Sequence, residues 1–265
     1  MAKTGAVGAR KHDRGHAREV LVTRLIFVAA ALASWELIAR SGVLFQGVVP
    51  PLSAIGHGLA ALLASRAFYG NLQTTAGEVA AALVIGGGAG VLVGLVLGVR
   101  RFLGVTFEPY LYYLAPTPKI IFLPIMIMWL GTGPGSKVAM GAMSCFFPIA
   151  LSVAAGLREI DEVLIRVGHS FRANFVQMAL KIYFPALRGT VVNSFRLGLG
   201  VAIIGVLLAE TKLSNRGLGF MVIDSYSHFD MPTIYALIIV IFTLAVALNA
   251  ALSQLARMRP ASNSR

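Results

Sequence analysis

Among the charged side chains that lie within or at the end of long apolar stretches of the sequence, three are singled out as candidate functional residues, because an ionised group is costly there. They are Lys119, Arg196 and Glu210. Lys119 lies among prolines, so it either borders a solute pathway or caps a broken helix. Arg196 is expected to pair with a carboxylate or to reach lipid headgroups, and Glu210 to be a gate residue or a solvated helix end.

The residue types that perform other chemistries are scarce or unsuitably spaced. Cys145 is the only cysteine, and the five histidines have no metal-ligand spacing. The sequence holds no nucleophile elbow and no HExxH motif, and the adjacent carboxylates Asp161 and Glu162 would point to different faces of a helix. We therefore predict no metal, no cofactor in this chain, no enzyme activity, and no carboxylate pair suited to acid–base chemistry inside the membrane.

The glycine-rich segment from Gly131 to Lys137 has the composition of a phosphate-binding loop but not its order. Such a loop has glycine directly before the lysine and serine or threonine after it, whereas this sequence has Ser136 and Val138. We interpret the segment as a turn between two helices. The chain is not expected to bind ATP.

The amino-acid composition indicates whether the segments that position these residues lie in water or in a membrane. Of the 265 residues, 57% are hydrophobic and only 13% are charged, which is about half the charged fraction of an ordinary soluble domain. A helix needs roughly 20 apolar residues to cross a bilayer. The sequence predicts an all-α polytopic membrane protein, with a transmembrane domain over 20–257, tails at 1–19 and 258–265, and six spans. The predicted spans are about 21–39, 74–98, 105–129, 138–157, 188–210 and 232–255.

Two of these spans have alternative interpretations. The first follows a basic segment, as a signal peptide would, but Trp35-Glu36-Leu37 offers no small-residue cleavage pattern, so an uncleaved span is favoured. The third contains Pro116, Pro118 and Pro124, which predict a kink or an irregular stretch.

The basic residues predict the orientation of the chain. Lys and Arg total 23 against 11 acidic residues, a net charge of +12. Most of them lie in the two tails and in the loops on the same side of the membrane. By the positive-inside rule both termini are cytosolic, and anionic lipid, not nucleic acid, is the expected partner of this charge.

Four glycines recur at every fourth position of the second span: Gly86, Gly90, Gly94 and Gly98. This spacing places them on one helix face, where they would allow another helix backbone to approach closely. We interpret them as helix-packing residues.

Two loops are long, at about 40–72 and 157–188, and the second carries a recognisable motif. It contains Glu162 and Gly168 at the separation found in the EAA loop of ABC importer permeases, followed by Phe184-Pro185. Val163 and Leu164 replace the two alanines of that motif. Pro185 also comes about four residues later than usual, which is about one helical turn.

Further segments resemble the nitrate/sulfonate/taurine-type family of these permeases, over about 45–255. They are Thr117–Pro124, Trp129–Gly133, Phe147-Pro148, Gly156-Leu157, Arg196–Gly200, Glu210 and Gly217–Phe220. The resemblance implies a type I ABC importer permease in the bacterial plasma (inner) membrane. It also implies partners, namely a second permease subunit in a homodimer, two cytosolic ATPases that hold ATP and Mg, and an extracytoplasmic solute-binding protein. The implied solute is a sulfonate, taurine, nitrate or a vitamin precursor.

The resemblance also assigns roles to residues. A helix at about Ile160–Phe171 would contact the ATPase through Glu162, Arg166 and Gly168, with Pro185 further along the loop. Lys119, Arg196 and Glu210 would be scaffold or gating positions that do not select one solute. An amphipathic helix on the membrane surface is the alternative for the loop. An ATP-independent carrier or channel is the alternative function, although the sequence shows no clear internal repeat, and a membrane-embedded enzyme lacks catalytic residues.

Overall fold

The computed structural model describes residues 5–42, 47–212 and 214–257, and the regular structure in these ranges is entirely helical. A 3-10 turn at Lys119–Phe122 and a π-helical turn at Ala179–Tyr183 interrupt the α-helices. The α-helices are α1 Gly5–Ser41, α2 Leu52–Ala64, α3 Arg66–Val99, α4 Arg101–Leu114, α5 Leu123–Leu130, α6 Pro134–Arg158, α7 Glu162–Ser170, α8 Phe175–Met178, α9 Phe184–Ala186, α10 Arg188–Glu210, α11 Leu218–Ser227 and α12 Met231–Arg257.

Five of the described helices are long and apolar enough to cross a membrane: α1 from Glu19, α3, α6, α10 and α12 up to Gln254. A sixth span results if α4 and the 119–130 segment are counted together. The all-helical, six-span prediction is therefore confirmed.

The third predicted span is not one straight helix. The segments Arg101–Leu114 and Lys119–Leu130 meet at an angle of 91°. The break contains Pro116 and Pro118, and proline both lacks a backbone N–H donor and disfavours helical geometry in the residue before it. The kink predicted from the prolines is confirmed, whereas a continuous helix over 105–129 is not observed.

The long loop predicted at 40–72 is largely helical. It contains α2, and α3 begins at Arg66, well before the predicted start at 74. The polar residues at the start of α3 lower its hydropathy, but Phe68 on the same turns is buried against Leu62 and Leu218. Tertiary packing thus extends the helix beyond the apolar stretch.

Helices α3 and α6 pack in parallel at the centre of the bundle. A Cβ atom added to Gly86 would lie 2.6 Å from Cα of Ala142, and one added to Gly98 would lie 2.7 Å from Cβ of Leu157. Gly90 and Gly94 face the residues of α6 between these two points. All four glycines therefore line one close contact between the two helix backbones.

Helix α10 packs against the other side of α6 and runs in the opposite direction. Gly205 of α10 faces Gly141 near the start of α6, and Gly156 near its end faces Thr190. The bundle thus has two ends. The end where α3 and α6 finish and α7 follows is called the α7 end, and the end where α10 finishes and α11 follows is called the α11 end.

Helix α1 has few contacts with the rest of the bundle. None of its most apolar stretch is buried, and it is joined to the bundle near its end, where Trp35 Nε1 donates to the carbonyl oxygen of Pro50 at 3.2 Å. The helix begins at Gly5, so most of the predicted tail 1–19 is helical. Residues 1–4 of that tail, and the predicted tail 258–265, lie outside the described residues.

Candidate functional site

At the α7 end, the sequence starts α7 with an acidic pair. Oδ1 of Asp161 accepts a hydrogen bond of 2.8 Å from the amide of Val163 and so satisfies one of the free N–H groups of the first turn. Glu162 is the first residue of the helix, where a carboxylate interacts favourably with the positive end of the helix dipole. It also forms an exposed ion pair of 3.4 Å with Arg166, one turn further on.

The inner face of α7 packs closely on the turn that follows it. Gly168 is buried, and a Cβ atom there would overlap Sδ of Met178 and Cδ1 of Ile182. The carbonyl oxygen of Gly168 accepts a hydrogen bond of 3.1 Å from the amide of Ala173. Pro185 is exposed in α9, beyond the π-helical turn.

The outer face of α7 is apolar and open. Val163, Val167 and Phe171 follow one another at intervals of four residues, and each exposes about half or more of its surface. This spacing places them on one side of the helix. We call these three residues the α7 stripe.

The α11 end holds a buried hydrogen-bond network centred on Glu210. Its Oε1 accepts a hydrogen bond of 2.6 Å from the hydroxyl of Thr75 in α3, and its Oε2 accepts one of 2.6 Å from the amide of Gly219 in α11. The Thr75 oxygen in turn accepts a hydrogen bond of 2.8 Å from the amide of Leu218. Asn71 Oδ1 accepts a further bond of 2.7 Å from the amide of Gly217.

Two further charged residues lie next to this network, and sequence reasoning did not connect them with it. The Glu78 carboxyl lies close to the Glu210 carboxyl, and Oε2 of Glu78 is buried with no hydrogen-bond partner among the described residues. Lys137 is buried close to both carboxyls, and its Nζ donates to the carbonyl oxygens of Thr132 and Gly133. We call Thr75, Glu78, Lys137 and Glu210 the buried polar cluster.

The cluster bears on two expectations. The interpretation of Glu210 as a solvated helix end is wrong, because only 1% of its surface is exposed. The expectation of no carboxylate pair suited to acid–base chemistry inside the membrane did not foresee that the Glu78 and Glu210 carboxyls lie close together there. The available signal was Glu78 itself, the one charge in an otherwise apolar stretch of α3.

Gly217 is required by the geometry of the same cluster. Its backbone has φ +106°, a conformation that residues with a side chain rarely adopt. A Cβ atom at this position would lie 2.6 Å from Oε2 of Glu210. The chain can therefore turn from α10 into α11 over the Glu210 carboxyl only with glycine here.

Lys119 and Arg196 lie apart from the cluster. Nζ of Lys119 donates a hydrogen bond of 2.6 Å to the carbonyl oxygen of Ala115, just after the end of α4, and lies 5.3 Å from the centre of the Phe147 ring. Of the alternatives weighed for Lys119, this geometry favours capping of a broken helix. Arg196 Nε donates a hydrogen bond of 2.9 Å to Oδ1 of Asn249 in α12, so its partner is an amide and not the expected carboxylate.

An ion pair near the α7 end was not foreseen from the sequence. Arg158, the last residue of α6, pairs with Glu108 in the middle of α4. The Glu108 side chain is largely buried, whereas half of the Arg158 side chain is exposed. This pair ties the first half of the broken third span to the central helix.

The Gly131–Lys137 segment is a turn between two helices, as predicted. Helix α5 ends at Leu130 and α6 begins at Pro134. The described residues contain no group of three or more His, Cys, Asp or Glu side chains that could hold a metal ion.

The sequence is similar to several proteins that are named as transport permeases. It is 28% identical over 240 residues to an aliphatic sulfonates transport permease protein, SsuC, of Bacillus subtilis, covering 91% of this chain and 87% of the relative. It is 26% identical over 235 residues to the taurine transport system permease protein TauC of Escherichia coli, covering 87% of this chain and 86% of that protein. An ABC transporter permease protein of Methanocaldococcus jannaschii is 24% identical over 233 residues.

Residues 86–258 match a family model described as the binding-protein-dependent transport system inner membrane component. The match covers well over half of the chain, including α6, α7, α10 and α12 and the last 14 residues of α3. Together with the helical bundle of five to six candidate spans, it shows that this protein is a permease of the family of binding-protein-dependent transport system inner membrane components.

Proposed function

We propose that this chain is the translocation subunit of an ABC importer for small sulfonates, taurine or related polar anions. The support for the solute class is that the relatives SsuC and TauC are named as permeases for aliphatic sulfonates and for taurine. The chain would work as a homodimer, with two ATPases on one side of the membrane and a solute-binding protein on the other. ATP and Mg would be held by the ATPases, and the permease would move the solute by alternating access.

The charges support an orientation in which the α7 end faces the cytosol. Basic residues are concentrated there, as the positive-inside rule requires. They are Arg100, Arg101, Arg158, Arg166, Arg172, Lys181 and Arg188. The α11 end, with the buried polar cluster beneath it, would then face the solute-binding protein.

The observation that carries the proposal is the two-sided packing of α7. Its inner face, with buried Gly168, is packed on Met178 and Ile182, so α7 moves together with the turn that leads into α10. Its outer face presents the α7 stripe next to the Glu162–Arg166 ion pair. An apolar stripe with a polar border, outside the spans, matches the usual composition of a protein interface.

This packing also suggests how ATPase closure would reach the spans. A force on the α7 stripe would pass through Met178 and the π-helical turn to α10, which packs along α6. Because α6 also packs tightly on α3 through the glycine contacts, the three helices would move as a unit. The broken third span, α4 and α5, would respond to that movement at its 91° bend.

The experiment is a pull-down of the tagged full chain from its native membrane in a gentle detergent, with mass spectrometry of the attached proteins. We expect a stoichiometric ABC ATPase with the wild type. Val167→Asp, which places a charge in the α7 stripe, should lose it. Tyr226→Asp, which places the same charge at an exposed position of α11, should retain it.

Two outcomes would contradict the proposal. A wild-type chain without an ATPase, under conditions that keep known importers intact, would favour an ATP-independent carrier. Retention of the ATPase by Val167→Asp would show that α7 is not the contact. In the intact assembly, uptake of taurine or ethanesulfonate into proteoliposomes should require ATP.

A further inference from the structure

A polar groove between α10 and α12 has no role in the coupling described above. It has a volume of about 410 Å³, and it is lined by Arg196, Val246, Asn249, Ala250, Ser253 and Gln254. Four of these six side chains are polar, although both helices are apolar enough to cross a membrane. Such a concentration of polar groups inside a span indicates a ligand or a pathway.

The charge of Arg196 is not neutralised by the part of the chain that the structure describes. None of the ion pairs found among the described residues includes Arg196. Among the described residues, its hydrogen-bond partner is the neutral amide oxygen of Asn249, which occupies Nε alone. A guanidinium has five N–H donors, so the two terminal nitrogens retain donors for another acceptor.

The position of Arg196 along α10 makes that acceptor necessary. Arg196 lies about 12 Å along the helix axis from Arg188, where α10 begins. An arginine at such a depth in a bilayer is stable only when it reaches water, a headgroup or a bound anion. The polar side chains of α12 continue from Arg196 toward the end of that helix. They are Asn249, Ser253 one helical turn further on, and Gln254 directly after it.

We infer that this groove is a binding site for a tetrahedral oxyanion, the phosphate or sulfonate group of a lipid headgroup or of the transported solute. The Arg196 guanidinium would pair with two of the oxygens in its planar fork geometry, which suits phosphate and sulfonate better than a point charge does. The side-chain N–H groups of Asn249 and Gln254 would donate to the others. Only the solute source rests on the proposed function, because a lipid would occupy the site in any membrane context.

The groove has the chemistry to reject other ligands. It presents a cation and amide donors but no carboxylate, so it would repel cations. A neutral solute would leave the Arg196 charge without a counter-ion, which is costly at this depth. The site is thus expected to distinguish ethanesulfonate from the uncharged alcohol of the same size.

The test uses the purified full chain in dodecyl maltoside, a detergent that contains no phosphate or sulfonate group, with thermal unfolding as the readout. Phosphatidylglycerol is incorporated in one arm, and ethanesulfonate is added from solution in the other. We expect at least one of them to raise the unfolding temperature. In Arg196→Gln, the concentration that gives half of this effect should rise about tenfold, as expected for the loss of one charge-assisted contact. Arg188→Gln, which removes the same charge from the start of α10, should respond like the wild type.

The two arms separate the sources of the oxyanion. A response to phosphatidylglycerol alone identifies a lipid site, and a response to ethanesulfonate in the detergent without added lipid identifies a solute site. If Arg196→Gln is poorly folded, Arg196→Lys and Asn249→Leu replace it, and each should weaken the response. The proposal is overturned if neither probe stabilises the wild type, or if the Arg196 variants respond as the wild type does. Because no ATPase is present, such a failure would be independent of the proposed transport function.

Discussion

The amide of Gly219 donates a hydrogen bond of 2.6 Å to Oε2 of Glu210 and so joins the first turn of α11 to the last residue of α10. The other carboxylate oxygen of Glu210 is held by Thr75 of α3. One buried carboxylate therefore connects three helices. Because the first N–H groups of a helix have no partner within it, Glu210 and Thr75 together also satisfy two of those of α11.

Replacing Thr75 by valine should loosen α11 without changing the shape of the side chain. The substitution leaves an oxygen of Glu210 and the amide of Leu218 without their partner. Each buried group left unpaired costs about 1–3 kcal/mol, so we expect the free energy of unfolding to fall by on the order of 2 kcal/mol. Hydrogen exchange of the Leu218 and Gly219 amides should become faster, and mass spectrometry can follow it.

Thr74→Val is the matched control for this change. The Thr74 hydroxyl donates only to the carbonyl oxygen of Gly70 in its own helix, at an exposed position. Its loss should change the stability by less than about 0.5 kcal/mol. Equal exchange rates in the two variants would show that the Thr75 contacts do not hold α11.

The close glycine contact between α3 and α6 leads to opposite predictions for the substitutions Gly86→Ala and Gly88→Ala. A Cβ atom at Gly86 would lie 2.6 Å from Cα of Ala142, a backbone atom that cannot move aside, whereas a Cβ atom at Gly88 meets nothing within 4 Å. Gly86→Ala should therefore lower the unfolding temperature, with a cost of about 1–3 kcal/mol or more from overpacking.

Gly88→Ala should leave stability unchanged or raise it, because alanine is the better helix former by about 1 kcal/mol. Thermal unfolding of both variants in the same detergent is the measurement. A loss of stability in Gly88→Ala as large as in Gly86→Ala would mean that the cost arises from removing any glycine of α3, not from the helix contact.

Part of this architecture was predictable because it depends on local patterns. The apolar stretches predicted the spans, the spacing of Gly86 to Gly98 placed those residues on one face, and Pro116 with Pro118 indicated the break in the third span. Each of these signals arises within one continuous segment of the chain. They are therefore visible in a single sequence without knowledge of which helices meet.

The buried polar cluster was not predictable in this way because its members come from distant parts of the chain. Thr75 and Glu210 are 135 residues apart. Lys137 directly precedes the predicted span 138–157, and the sequence places it only in the turn between two helices. Only the packing of α3, α6, α10 and α11 shows that these charged side chains lie close together in the interior. Helix α11 itself has too few residues to be recognised as a separate membrane span.

Gly168 is expected to tolerate a small side chain only if Met178 gives way. The atoms that a Cβ would meet are the far ends of the flexible Met178 and Ile182 side chains. Gly168→Ala should therefore retain most of the transport, whereas Gly168→Leu should reduce ATP-dependent uptake strongly, since a branched side chain would push α7 off the turn.

Met178→Ala creates the space that the larger side chain needs and should restore part of the activity of Gly168→Leu. Uptake and ATP hydrolysis are measured together in proteoliposomes. We expect hydrolysis to persist in Gly168→Leu while uptake falls. Normal transport by Gly168→Leu would contradict the proposal that the packing of α7 couples ATP hydrolysis to transport.

The Arg158–Glu108 pair should stabilise the packing of α4 on α6 more than a surface pair does. Glu108 exposes only 10% of its side chain, so its carboxylate has little access to water and depends on Arg158 for a partner. Half of the Arg158 side chain is exposed, which weakens the pair through solvent screening. A double-mutant cycle with Glu108→Gln and Arg158→Gln should give a coupling free energy of about 1 kcal/mol.

The Glu162–Arg166 pair of α7 provides the internal comparison for that cycle. Its side chains expose 84% and 74% of their surfaces, and exposed pairs one helical turn apart contribute only about 0.3–0.5 kcal/mol. Its cycle should therefore give the smaller coupling, and added salt should remove it. If the two cycles give equal coupling, burial of Glu108 does not strengthen its ion pair. The bend between α4 and α5 would then depend on the prolines and on apolar packing alone.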